Sequence, residues 1–142
     1  MFPCYSLKGR IHNEMHEYVA AIKSLGHALL QVPKFSHDDI YKSQEVLCHV
    51  ELARAYYFEM SFKKALTSCY DALSMIKDVF PEESEVEGGL YFLVAAIANR
   101  MKNKSLAGNN LSLASKIYSK ILGSDHFLTQ CYIAYARALI NC

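Results

Sequence analysis

The sequence predicts an all-α protein built from repeated pairs of antiparallel helices. Apolar residues recur at helical spacing along nearly all of the 142 residues, and no segment shows the alternation of a strand. A pattern of small and large side chains also returns at intervals of 44, 42 and 41 residues. The composition, 52% hydrophobic and 20% charged with only 6 glycines and 3 prolines, is that of a globular helical chain.

Six interruptions of the helical pattern divide the chain into about seven helices. They lie at Asn13–Glu14, Pro33–His37, Met60–Ser61, Pro81–Ser84, Lys102–Lys104 and Gly123–Ser124. The clearest helical face is formed by Phe62, Ala65, Leu66, Cys69, Ala72, Leu73 and Ile76. Ser84 and Glu87 have capping-box spacing, which predicts a helix start, and Gly123 predicts a helix end.

One segment leaves two interpretations open. Gly108, Asn109 and Asn110 lie inside the sixth predicted helix, where the glycine alone costs about 1 kcal/mol. The alternative is a longer loop, with the helix beginning near Asn110.

Successive copies of the repeat begin at Tyr5, His49, Tyr91 and Tyr132. Each has a small residue four positions later, and the second helix of a pair has two alanines seven apart. These small residues are Gly9, Ala53, Ala95 and Ala136, with Ala21 and Ala28, Ala65 and Ala72, and Ala107 and Ala114. Small side chains allow two helices to approach closely, and larger ones fill the gaps between them. Because one helix pair cannot bury its apolar face alone, we expect the pairs to stack as a solenoid.

The best copy reads Leu52-Ala53-Arg54-Ala55-Tyr56-Tyr57, followed by Phe62, Ala65-Leu66 and Ala72-Leu73. This order resembles the tetratricopeptide repeat. The period exceeds the family's usual length of about 34 residues, so we expect an insertion of about eight to ten residues in each connection, as in the extended repeats of kinesin light chains. The resemblance implies a right-handed α-solenoid in a single domain, 1–142, with repeats at about 2–35, 46–79 and 88–121 and a capping helix at 125–141.

The resemblance also implies a protein-binding function, because the first helices of such pairs line a concave groove. The groove positions are Arg10, Asn13, Leu47, Val50, Arg54, Tyr57, Phe58, Phe92, Asn99, Arg100 and Arg137, with Glu14 and Ala96 beside them. Arginines at equivalent positions can pair with carboxylates, and the aromatic residues can anchor apolar side chains. We therefore expect an acidic, partly apolar peptide or helix as the ligand.

Other interpretations stay open. The arginines could be solvated and the aromatic residues could be packing positions. A homodimer is an alternative, favoured by Phe127, Leu128 and Ile133 in the last predicted helix. The chain could also be an accessory domain of a larger enzyme, since its abrupt start and end indicate a fragment of a longer protein.

The charge balance and the cysteines limit the remaining classes of function. A formal net charge of +1 gives no basis for binding nucleic acid or a membrane surface. The longest apolar run, Leu90–Ala98, is half the length of a membrane span. Five cysteines in no motif spacing predict a reducing compartment, the cytoplasm or the nucleus.

No constellation of residues predicts catalysis or a cofactor. His12 and His16 are four apart, but the repeat places a turn between them, so we expect no metal site. Gly88-Gly89 lacks the strand, spacing and lysine of a phosphate-binding loop. We therefore expect a protein that is not an enzyme and binds no cofactor.

Overall fold

The computed structural model describes residues 9–11, 15, 17–31, 39–80, 84–123, 130 and 134, and it contains no strand in these ranges. Five helices have defined bounds. They are α1 (Tyr18–Gln31), α2 (Asp39–Phe58), α3 (Phe62–Val79), α4 (Glu85–Arg100) and α5 (Lys104–Leu122). Residues 9–11 are also helical. The predicted all-α class is confirmed. Over the described ranges, no helix combines the length and the apolar character needed to cross a bilayer.

The chain divides into two compact units, Met1–Val79 and Phe80–Cys142. In the first unit α1 packs on α2 and α2 packs on α3, and in the second α4 packs on α5. The first unit has a core of Ala21, Leu25, Ala28, Cys48, Leu52 and Ala55, between α1 and α2. Antiparallel packing of α4 and α5 is evident because Gly88 lies against Ile117, while Ala95 packs with Leu111. The predicted single domain stays a prediction.

The turn between α2 and α3 has the same backbone geometry as the turn between α4 and α5. Met60 has φ 65°, and Ser61 N–H donates to the carbonyl of Tyr56 at 2.9 Å. Lys102, 42 residues later, has φ 62°, and Asn103 N–H donates to the carbonyl of Ala98 at 2.9 Å. Both are Schellman turns, in which a left-handed residue ends one helix and the chain reverses.

Two further backbone hydrogen bonds recur at equivalent positions around the starts of α1, α3 and α5. Met15 N–H donates to the Ile11 carbonyl at 3.0 Å, and Ala21 N–H donates to the Glu17 carbonyl at 2.9 Å. Equivalent bonds lie on either side of the start of α3, from residues 59 to 55 and 65 to 61, and of α5, from 101 to 97 and 107 to 103. The predicted repeat register is therefore present in the backbone at spacings of 44 and 42 residues.

The predicted small residues lie where helices approach closely. Ala53 and Ala95 are fully buried, as are Ala65 and Ala107 in the partner helices. A Cβ atom added to Gly9 would overlap Cγ of the fully buried Leu25. Only a residue without a side chain therefore fits at that crossing.

Local sequence signals set two helix ends as predicted. The Ser84 hydroxyl accepts a hydrogen bond from Glu87 N–H at 3.3 Å, so Ser84 is the N-cap of α4. Gly123, with φ 90°, ends α5 and donates its N–H to the Ser119 carbonyl. At the start of α5 the Asn103 side chain accepts from Leu106 N–H at 3.1 Å.

The structure decides between the two interpretations of the sixth predicted helix. Helix α5 begins at Lys104 and continues through the buried Gly108, so it does not start near Asn110. The burial of Ala107 and Leu111 against α4 outweighs the local cost of about 1 kcal/mol for a helical glycine. Helix α2 begins at Asp39 and α4 at Glu85, so both helices begin before the predicted repeat starts at 46 and 88.

Two glycines provide a matched test of the packing in the first unit. Gly9→Ala should lower the free energy of unfolding by about 1–3 kcal/mol, because the new methyl group overlaps Leu25. Gly26→Ala should raise it by about 0.4–1 kcal/mol, because no atom lies within 4 Å and the unfolded chain loses entropy. Urea unfolding followed by circular dichroism measures both. Equal effects would show that Gly9 does not lie at a tight crossing.

A second test concerns the contact between α2 and α3. Ala65→Leu should lower the free energy of unfolding by about 1–3 kcal/mol, since the larger side chain overpacks a fully buried site. Thr67→Leu is the control on the exposed side of α3, where we expect a change within about 0.5 kcal/mol. An unchanged melting temperature for Ala65→Leu would contradict the assigned packing.

Candidate partner-binding surface

Five of the predicted groove residues share the outward side of α2. Leu47, Val50, Arg54 and Tyr57 are partly exposed, and Phe58 is 51% exposed. Their spacings of three, four, three and one residues place them along one side of a helix. Another side of α2 carries the buried residues that pack against α1. We call these five residues the α2 surface.

Four aromatic rings form a continuous row at one end of this surface. Phe58 stacks on Tyr18 with ring centroids 5.0 Å apart, and it meets the edge of Tyr57 at 5.2 Å. Tyr57 in turn lies 6.0 Å from Phe62. These distances are within the range that aromatic pairs prefer. The aromatic row thus links α1, α2 and α3 and holds Phe58 at a fixed position on the surface.

Tyr18 and Phe62 were not among the predicted site residues. Each is the first residue of the second helix of a pair, and they are 44 residues apart. The repeat register therefore contained the signal for both. Their rings extend the predicted pair Tyr57 and Phe58 on either side.

Arg54 is the cation of the α2 surface, and its charge is already partly offset. Its Nη1 lies 3.2 Å from Oε1 and 3.3 Å from Oε2 of Glu51, three residues earlier on the same helix. The guanidinium side chain is 40% exposed. The Glu51 side chain is only 14% exposed, so the pair is partly buried, and the exposed part of the guanidinium is what a ligand carboxylate can reach.

The second unit carries three of the predicted residues, all on α4. Phe92 is partly buried and packs against Ala95 and Leu111, so part of its ring belongs to the core. Asn99 is partly buried, and its carbonyl accepts the Lys102 N–H of the turn at 3.1 Å. Arg100 is exposed at the end of α4.

The remaining predicted positions belong to the ends of the chain. Arg10 is exposed on the helical segment 9–11, next to Gly9. Asn13 and Arg137 lie outside the described residues. The same holds for Glu14, for the discounted histidine pair His12 and His16, and for the apolar residues Phe127, Leu128 and Ile133.

His49 is a titratable group at the contact between α2 and α3. Its Nδ1 atom is buried and, among the described residues, has no hydrogen-bond partner. Burial lowers the pKa of His49, and the negative charge of Asp71 on α3 partly opposes that shift. The folded chain therefore favours the neutral imidazole.

The two described cysteines, Cys48 and Cys69, are both buried free thiols. Burial raises the pKa of each to about 12, and for Cys48 the charges of Glu45 and Glu51 add to the effect. The Cys48 thiol donates to the Leu25 carbonyl at 3.5 Å. Both thiols are protonated at neutral pH and act as small apolar core residues, because the nucleophilic form of cysteine is the thiolate.

Within the described ranges, His, Cys, Asp and Glu side chains form no group of three or more that could hold a metal ion. Comparisons of the chain with protein-family models, with curated proteins and with solved structures found no match.

We predict that the free energy of unfolding falls in mild acid because of the titration of His49. The pKa is lowered in the folded state from the ordinary 6.5, so the unfolded chain binds more protons below that pH. The stability that follows from the lowered pKa of His49 is therefore fully present above about pH 6.5 and is lost as the pH falls toward the folded-state pKa.

The substitution His49→Tyr, which copies Tyr91 at the equivalent position, should reduce the drop in unfolding free energy between about pH 7 and pH 5.5. Urea unfolding at each pH measures it. Exposed His27, changed to Gln, is the control and should leave the drop intact. A drop of the same size in His49→Tyr would rule out His49 as its source.

Proposed function

We propose that this protein is a protein–protein interaction module, an adaptor or scaffold whose α2 surface binds a peptide or helix of a partner. The observation that carries the proposal is the aromatic row with Phe58 at its exposed position. A large ring held by neighbouring rings loses little conformational freedom on binding, which is the property of an interface anchor. The resemblance to tetratricopeptide repeats supports the same function.

The ligand that suits this surface is partly apolar and carries a carboxylate. An aliphatic or aromatic side chain of the ligand would lie against Tyr57 and Phe58, with Leu47 and Val50 extending the contact along α2. A ligand carboxylate would bind the exposed part of the Arg54 guanidinium beside Glu51, because the five N–H donors of a guanidinium can hold two carboxylates. In the second unit Phe92, Asn99 and Arg100 are the corresponding candidates.

The repeat type, the further contact positions and the cellular location are part of the same proposal. We infer a right-handed solenoid of tetratricopeptide type, with Arg10, Asn13 and Arg137 as further contact positions. We also propose that the protein acts in the cytoplasm or nucleus, binds no nucleic acid or membrane and has no enzymatic activity or cofactor of its own.

Self-association is the second candidate function, and one observation favours it. Val19 and Leu30 on α1 are 70% and 78% exposed. The positions 44 residues later on α3 hold Lys63 and Ser74, so the apolar character is specific to α1. We infer that these two side chains would contact a second copy of the chain. A monomer mass by light scattering, unchanged at rising concentration, would contradict this second function.

Substitutions on the α2 surface test the first function. Immobilised wild-type protein and variants are compared for the proteins that each retains from cell extract, quantified by mass spectrometry. Arg54→Glu and Tyr57→Ala should each weaken retention of the same partners by about tenfold or more, as expected for interface anchors. Lys63→Glu, an exposed change on α3, is the control and should retain them.

Each variant is first checked for an unchanged circular dichroism spectrum and melting temperature. Raising the salt concentration from about 0.05 to 0.3 M should weaken binding of the wild type, because exposed charge pairs are screened. Full retention of the same partners by both α2 variants would contradict the proposal.

A further inference from the structure

The hairpin of α4 and α5 carries five cations against two carboxylates, Glu85 and Glu87 in the first turn of α4, whereas the rest of the chain has a net negative charge. Between Gly88 and Gly123 the sequence contains no Asp or Glu. The same segment contains five cations, Arg100, Lys102, Lys104, Lys116 and Lys120, against a net charge of +1 for the whole chain. The positive charge is therefore concentrated in one structural element, where it can produce a local potential.

Three of the five cations lie in or beside the turn between the helices. Arg100 is the last residue of α4, Lys102 is in the turn and Lys104 is the first residue of α5, and all three are exposed. Met101, between the first two, is 40% exposed. We call residues 100–104 the basic turn. Arg100 and Lys104 each also take part in an interaction within the chain, so a ligand would share them.

The backbone of the basic turn is fixed by hydrogen bonds. Lys102 N–H donates to the Asn99 carbonyl at 3.1 Å, and Asn103 N–H donates to the Ala98 carbonyl at 2.9 Å. The Asn103 side chain then caps α5 through Leu106 N–H. Because these bonds hold the backbone, a ligand would need to order only the side chains of the cations.

The cations are not required by the fold of the turn. The turn between α2 and α3 has the same hydrogen bonds and the same left-handed residue, yet it carries Phe58, Met60 and Phe62 at the equivalent positions. Lys104 also lies at the positive N-terminal end of α5, where a cation is unfavourable. Helix stability therefore does not explain its charge.

We propose that the basic turn is a docking surface for an acidic segment of a protein partner, with carboxylates meeting Arg100, Lys102 and Lys104 and an apolar side chain against Met101. This inference rests on the proposed protein-binding function and adds a second contact region to it. An acidic protein segment fits better than nucleic acid, because the turn offers no aromatic ring for base stacking and the whole chain has almost no net charge.

The test uses two charge reversals of equal size. Lys102→Glu with Lys104→Glu changes the basic turn, whereas Lys63→Glu with Lys64→Glu changes the first turn of α3. Both double variants alter the net charge by the same amount, so a general electrostatic effect would be equal in the two. Melting temperatures are measured first to establish that both are folded.

The probe is a fluorescein-labelled peptide of repeated Glu-Glu-Leu triplets, followed by fluorescence anisotropy. A peptide with Gln in place of Glu and a short single-stranded RNA are the comparison probes. We expect the acidic peptide alone to bind, with affinity that falls as salt rises from about 0.05 to 0.3 M. Reversal in the basic turn should weaken binding by about tenfold or more, and reversal in α3 by less than about twofold.

Three results of the anisotropy measurements would overturn the inference. They are no binding of the acidic peptide, equal losses in the two double variants, and RNA binding at least as tight as that of the peptide. Amide chemical shifts in a titration with the acidic peptide locate the contact, and we expect changes confined to about residues 99–106. Changes at residues 47–62 instead would place the peptide on the α2 surface, so the docking site at the basic turn would fail while the proposed function stands.

Retention of the cellular partner by the variants distinguishes the basic turn from the α2 surface as the docking site. Loss of partner retention in the Lys102→Glu and Lys104→Glu variant supports docking at the basic turn. If that variant retains the partner while the Arg54→Glu and Tyr57→Ala variants lose it, only the α2 surface is supported as the docking site.

Discussion

Two helices can lie side by side at short range only where at least one of them has little or no side chain at the crossing. Gly9 meets this requirement against Leu25, and the fully buried Ala53 and Ala65 meet it in the hairpin of α2 and α3. Close approach brings the larger core side chains into contact, and that contact holds the second helix against the first. It also holds α5 in helical form through Gly108, a position that local propensity alone would weaken.

The recurring turn has a constant backbone, whereas its exposed side chains differ between the two units. The backbone reverses in the same way at Met60 and at Lys102, so the turn itself depends on main-chain bonds and tolerates different side chains. In the first unit those side chains are the apolar Phe58, Met60 and Phe62, and Phe58 becomes part of a stacked row. In the second they are cationic. Repetition of a backbone motif therefore leaves the outward positions available for different binding chemistry.

Features that depend on near neighbours in the sequence could be predicted, and features that depend on packing could not. Ser84 and Gly123 act through the backbone groups beside them, so their helix ends were read correctly. The sequence left two interpretations at Gly108, because the packing that offsets the cost of a helical glycine involves another helix. The side of α2 that carries Arg54 followed from the repeat register, but its pairing with Glu51 depends on side-chain rotamers. The family resemblance and the partner are still predictions.

The burial of Cys48 and Cys69 has a consequence for oxidative damage. Because burial raises the pKa of both thiols to about 12, they stay protonated at pH 7 and react slowly with peroxide and disulfide reagents while the first unit is folded. When the first unit opens, both sulfurs become reactive, and an oxidised, polar sulfur cannot return to an apolar site without cost. Oxidation of the opened unit therefore favours the unfolded state until the sulfur is reduced again.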